Sequence, residues 1–179
     1  CTAKLSGSGI PTSLAMIAFA FGGFGGAINA AYAMNAMVHN TAWIQGHFHV
    51  TLGTTVALSF MGATYWLLPR LTGRVLRFPW LARIQPYLWF GGMVFFSTSY
   101  HIAGLRGMPR RVYSGALSGA DGAAWQSLTM VAAVGGVILF VSALAMMLTI
   151  DHALNAIWRV RKPRRIGQRV LVYWAAVTL

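Results

Sequence analysis

The chain carries five histidines, His39, His47, His49, His101 and His152, and three of them fall within eleven residues. His47 and His49 lie in an apolar stretch that begins near Trp43. An ionisable side chain in such a stretch is costly to bury and usually has a function. Their spacing limits what that function is. Positions i and i+2 on a helix are roughly 200° apart, so the two imidazoles point to opposite sides. They cannot share one ion as a zinc-binding pair at i and i+4 would. Each can instead hold a separate iron through an imidazole nitrogen, which is the chemistry of haem ligation. Gly46, just before His47, is expected to leave room for a large planar group. The competing reading is that each histidine only hydrogen-bonds to a neighbouring helix. Phe48, between the two, reads on sequence alone as a packing residue.

The elements that must position these side chains belong to a bilayer. Of 179 residues, 57% are hydrophobic and 9% charged, and the mean hydropathy is +0.61. A soluble domain of this length needs far more charge to cover its surface. The 14 Lys+Arg against 2 Asp+Glu give a formal net charge of +12. Nucleic-acid binding is a poor explanation, because the basic residues sit in short clusters between apolar runs and not over one polar face. The single cysteine, Cys1, excludes an internal disulfide and a cysteine-built metal site. The sequence lacks an initial Met and stops at Val177-Thr178-Leu179 inside an apolar run. It therefore reads as a fragment of a longer protein. The first apolar segment is too long and too poorly flanked for a signal peptide.

A membrane helix needs about 20 apolar residues. Four stretches qualify, at about 13–38, 43–68, 86–105 and 124–150, and the apolar run near 170 suggests the start of another. The expected fold is an all-α membrane protein, one transmembrane helix bundle over residues 1–179 with four spans and a truncated fifth. Gly22, Gly23, Gly25, Gly26 and Ala30 suit close helix packing in lipid. Arg70, Arg74, Arg77 and Arg83 follow the second span, and Arg159, Arg161, Lys162, Arg164, Arg165 and Arg169 follow the fourth. Both clusters are expected on the cytoplasmic side. The loop between the third and fourth spans then falls outside, yet it carries Arg106, Arg110 and Arg111. A negative ligand explains arginines there. Arginine pairs carboxylates through bidentate hydrogen bonds, and haem carries two propionates. From His49 to Arg70 is 21 residues, about 31 Å of helix, so the histidines lie in the outer third, on the side of this loop.

These residues carry a family resemblance. His39-Asn40-Thr41-Ala42-Trp43-Ile44-Gln45-Gly46-His47-Phe48-His49 resembles the tenth-helix motif of subunit I of the haem–copper oxidases. Tyr65-Trp66-Leu67-Leu68-Pro69 and Gly107-Met108-Pro109-Arg110-Arg111 resemble two further family motifs, in the expected order. The likeness runs from about residue 30 to 115. The Trp-x-x-Gly-His-Phe-His form and the approach from His101 to the arginines are most similar to the B-type branch, with the mitochondrial-like A-type as the near alternative.

The resemblance implies roles by position. His47 is the axial ligand of the high-spin, oxygen-reducing haem, and His49 is one of two axial ligands of the low-spin haem. Phe48 lies between the haems on the electron route and counts with His47 among the catalytic residues. Arg110 and Arg111 hold propionates, and His39 sits near those of the high-spin haem. Asn35 stands one turn before His39, where the B-type branch is expected to carry Asp. It is counted with the cofactor-contacting residues, although an amide cannot share a proton with a propionate as a carboxylic acid can. The family's copper is held by three histidines on earlier helices, and neither His101 nor His152 matches them. The implied parent is the catalytic subunit of a respiratory terminal oxidase, multi-pass in a prokaryotic plasma membrane. It takes electrons from a cytochrome c-like donor, reduces O2 to water, moves protons and partners subunit II. The alternatives are a nitric oxide reductase-like member of the same superfamily and a haem-free transporter or assembly protein.

Overall fold

The computed structural model describes residues 9–73, 76, 78–111, 120–158, 167, 168 and 171. Among these the chain is helical: α1 Gly9–Ala30, α2 Tyr32–Val38, α3 Trp43–Phe48, a π-helical turn His49–Thr54, α4 Thr55–Thr72, α5 Pro79–Leu105 and α6 Ala120–Ile157. Within the described residues, Gly9–Ala30 and Gly122–His152 are long and apolar enough to cross a membrane. Large side chains such as Phe19, Phe24, Phe60, Phe95, Val137 and Phe140 are exposed on the outside. That surface suits lipid better than water.

The boundaries differ from the sequence expectations in instructive ways. The first apolar segment is not one helix. Ala31 is extended, at φ −77° and ψ 119°, and separates α1 from α2. Alanine carries no helix-breaking signal, so hydropathy joined the two. The second segment runs on past Pro69 to Thr72 and stops at Gly73, whose φ of 63° is left-handed; glycine adopts that conformation without steric cost. α5 starts at Pro79, before the expected 86, and holds Pro86 inside it. Proline removes one backbone donor, a loss that membrane helices tolerate when neighbours satisfy the freed groups. α6 is longer at both ends than the apolar run that signalled it. The span suggested near 170 falls almost wholly outside the described residues.

α3, the π turn and α4 form one continuous rod, with helical backbone angles at both junctions. α1 and α5 both pack along it and touch each other, and α6 packs on α5. Two buried clusters hold the ends. Ala15, Leu58, Met61, Tyr65 and Ala82 join α1, α4 and α5 at the end bearing Arg70. Ala42, Ala103 and Met108 join the start of the rod to the end of α5 at the other. α5 and α6 touch backbone to backbone, since a Cβ on Gly135 would lie 2.7 Å from the Gly92 carbonyl oxygen. Near that seam the buried side chain of Gln85 accepts from the Tyr65 hydroxyl and donates to the Ser142 carbonyl, linking α4, α5 and α6.

Candidate functional site

The rod presents His47 and His49 to different neighbours, as their spacing predicts. His47 faces α1, where a Cβ on Gly25 would come within 2.6 Å of its Nδ1. His49 faces α5 and packs on Phe96 with ring centroids 4.7 Å apart. The π turn starts at His49. Such wide turns occur mostly as single insertions in helices, often at functional positions.

Both rings have their Nδ1 engaged. His49 Nδ1 is 2.7 Å from the Gln45 carbonyl oxygen. A carbonyl can only accept, so Nδ1 carries the proton and Nε2 keeps its lone pair. His47 Nδ1 is 3.3 Å from Thr51 Oγ1, and the Thr51 hydroxyl donates to the His47 carbonyl at 2.7 Å. With its one proton used, Oγ1 accepts from Nδ1–H, and Nε2 of His47 also presents a lone pair. A ring whose other nitrogen is hydrogen-bonded is the usual state of a metal-ligating histidine. The pair therefore fits two haem irons on opposite faces. Phe48 stands edge-on to the His49 ring at 6.1 Å and is 56% exposed, so much of its ring is open to contact whatever covers that face.

The arginine loop is fastened to the same end of the rod. Ala42 N–H donates to Met108 O at 2.8 Å, and Arg110 N–H donates to Asn40 O at 2.9 Å. Thr41 and Pro109 form an isolated antiparallel bridge. From Thr41 to His47 is six residues, about 9 Å of helix. Arg110 and Arg111 are exposed, as is His39, and Asn35 is half-buried. Asn40 and Arg111 have φ of 59° and 62°, left-handed values uncommon away from glycine. Tight backbone on both sides of the bridge thus sets where the guanidiniums start. The structure brings His39, His47, His49, Arg110 and Arg111 to one end of the bundle. Asn35 is on α2, one turn before His39, whose N–H it accepts through its carbonyl.

One expectation fails. Gly46 does not open space for a planar ligand. A Cβ there would meet His101 Nδ1 and Ser97 O, each at 2.7 Å. The missing side chain admits α5, whose His101 ring packs edge-on against Trp43 at 4.4 Å. Sequence reasoning also passed over Thr51, Gly25 and Phe96 as neighbours of the histidines. Thr51 was findable, because i+4 from His47 is the same helix face. Phe96 and Gly25 lie on other helices, and nothing local announces them. A cavity of about 520 Å³ between α1 and α5 has Trp43 and His101 in its wall, but neither His47 nor His49.

The described residues thus form a helical membrane bundle with two Nδ1-anchored histidines facing different helices and an arginine loop at one end, an arrangement that fits haem ligation. The comparisons agree with that class. The family described as Cytochrome C and Quinol oxidase polypeptide I matches residues 9–138, and the chain belongs to it, as a partial subunit I of the haem–copper oxidases. It is similar to cytochrome c oxidase subunit 1 of Thermus thermophilus, 43% identical over 102 residues, 56% of this chain and 18% of that protein. It thus spans about a fifth of that relative's length. Among solved structures it is similar to a chain of a heme-copper terminal oxidase dimer, with TM-score 0.74 and 30% identity over 89% of this chain and 28% of the other. A separate, local likeness of 46 residues, 26% of this chain, is 76% identical to the UPF0761 membrane protein Mpe_A1422 of Methylibium petroleiphilum and covers 11% of it.

Proposed function

We propose that this chain is the part of a respiratory terminal oxidase's catalytic subunit that would hold one histidine ligand for each of two haems. The observation that carries the reading is the pair of imidazoles, His47 and His49, each with Nδ1 tied to an acceptor and Nε2 left for iron, on opposite faces of one rod. His47 serves the high-spin haem and His49 the low-spin haem. Haem bound at these nitrogens supplies the one-electron chemistry of its iron. The chain's own residues fix the geometry. Phe48, exposed between the two ligands, lies where electrons pass from one face to the other. Arg110 and Arg111 pair propionates at the end of the rod, with His39 and Asn35 beside them.

The remaining metal chemistry belongs to the parent. The copper ligands of the resemblance, three histidines, have no counterpart among the histidines here. The parent takes electrons from a cytochrome c-like donor and reduces O2 to water with proton translocation. It lies in a prokaryotic plasma membrane with subunit II and other subunits. The rod, α1, α5 and α6 act as four spans of that subunit.

The test uses the parent protein in membranes. Reduced-minus-oxidised spectra are recorded for wild type, His47→Ala and His49→Ala. Each substitution is expected to remove a different haem signal. Two unchanged spectra would refute the ligand assignment.

A further inference from the structure

The two histidines are anchored differently, and the difference has a functional consequence. His49 Nδ1 donates to a backbone carbonyl, that of Gln45, which no side-chain substitution removes. His47 Nδ1 donates to a side chain, the Thr51 hydroxyl. That hydroxyl has no freedom to reverse its role, because its proton is committed to the His47 carbonyl at 2.7 Å. One threonine thus reads both the backbone and the ring of the same histidine. α1 closes over the pair. A Cβ on Gly22 would lie 2.3 Å from Thr51 Oγ1, and one on Gly25 would lie 2.6 Å from His47 Nδ1. Two glycines one turn apart on α1 therefore sit on two side chains one turn apart on the rod. The hydroxyl is thus packed between α1 and the rod.

We infer that Thr51 is the positioning residue of the high-spin haem ligand: it fixes the tautomer and ring plane of His47 and raises the donor strength of Nε2. This rests on the haem-ligand reading above. An Nδ1–H that donates to an acceptor pushes electron density toward Nε2 and strengthens its bond to iron. Thr51 does not touch the haem and acts only through His47. Thr54 makes the parallel backbone contact, donating to the His49 carbonyl at 3.2 Å, but no contact to the His49 ring. The His49 ring is held instead by the Gln45 carbonyl, which a change at Thr51 leaves in place.

The test is made on the full parent oxidase, with Thr51→Val and Thr51→Ser. Resonance Raman spectroscopy of the reduced enzyme reads the iron–histidine stretch of the high-spin haem, and the low-spin haem absorption serves as an internal control for folding. Thr51→Val keeps the shape and loses the acceptor. It is expected to lower the iron–histidine frequency and to weaken retention of the high-spin haem by about 10-fold or more, with the low-spin band unchanged. Thr51→Ser is expected to restore the frequency. An unchanged frequency in Thr51→Val overturns the inference, and so does a Thr51→Ser enzyme that behaves like Thr51→Val. Loss of both haem signals in Thr51→Val also overturns it, because it means a general packing role. A wild-type parent without haem signals sinks the ligand reading itself, a result that the variants cannot mimic.

Discussion

The backbone N–H of Arg110 donates to the carbonyl of Asn40 at 2.9 Å. These two residues are 70 positions apart in sequence, and the bond ties the arginine loop to the segment that leads into the histidine rod. The guanidinium itself stays exposed, so the side chain is free for a ligand while the backbone is not free to move. This separation makes the side chain removable without dismantling the loop. Arg110→Ala in the parent is expected to leave haem bound and lower its reduction potential, because loss of a nearby positive charge favours the ferric form. A charge-assisted hydrogen bond contributes about 1.5–3 kcal/mol. Part of that differs between oxidation states, which gives a shift on the order of 59 mV, the tenfold step for one electron. Potentiometric titration reads it. Complete loss of haem, or an unshifted potential, counts against propionate pairing.

Gly25 is the second place where a single atom matters. A Cβ added there meets His47 Nδ1 at 2.6 Å, whereas one added at Gly23 meets nothing within 4 Å. Gly25→Ala is expected to destabilise the protein by about 1–3 kcal/mol through overpacking and to reduce the high-spin haem content. Gly23→Ala is expected to be neutral or stabilising by up to about 1 kcal/mol from helix propensity. Thermal denaturation with haem quantification separates the two. Equal behaviour of the pair would mean that α1 does not sit on the ligand.

How far the site was legible in the sequence follows from the same residues. The opposed facing of His47 and His49 is a property of helical periodicity, and it was readable from two positions. The arginine loop's nearness to them was readable from span counting. What could not be read depends on packing between helices. Gly46 has the right type for admitting a planar ligand, but α5 takes the space, and its position is set by contacts from residues 97 and 101. The break at Ala31 has no local signal. The π turn at His49–Thr54 is likewise invisible to hydropathy, although Thr54 donating five residues back to His49 marks it once seen. The basic clusters from Arg70 to Arg83 and from Arg159 to Arg169 carry the expected orientation of the spans; the oxidase family match takes in the first and ends at residue 138, before the second.

Gln85 joins three helices through one buried amide. It accepts from the Tyr65 hydroxyl and donates to the Ser142 carbonyl, while Ser142 Oγ donates to the Gln85 carbonyl at 3.5 Å. Gln85→Leu leaves the Tyr65 hydroxyl without its acceptor, at a cost of about 1–3 kcal/mol for a buried polar group. Interhelical hydrogen bonds in lipid average nearer about 0.6 kcal/mol, so the lower end is expected. Both haem spectra are expected to keep their shape while the denaturation midpoint falls. A change in haem spectrum with an unchanged midpoint would place Gln85 in the site and not in the scaffold.

Phe96 offers a test of the other ligand. Its ring packs on His49 at 4.7 Å with an interplanar angle of 50°, and it leans in turn on Tyr100 at 4.9 Å. No hydrogen bond from Phe96 holds the imidazole; shape alone limits its rotation about the Nδ1–Gln45 contact. Phe96→Ala removes that wall and costs about 3–5 kcal/mol if the ring is fully buried, less here because the residue is half-buried. Phe96→Leu keeps most of the volume and loses the flat face. In the parent, Phe96→Leu is expected to broaden and shift the low-spin haem's electron paramagnetic resonance signal, because the ligand plane samples a wider range of angles. The high-spin haem should be unaffected, the reverse of Thr51→Val. If Phe96→Leu instead perturbs the high-spin signal, His49 and His47 have been assigned to the wrong haems, because the ring that Phe96 packs on is that of His49.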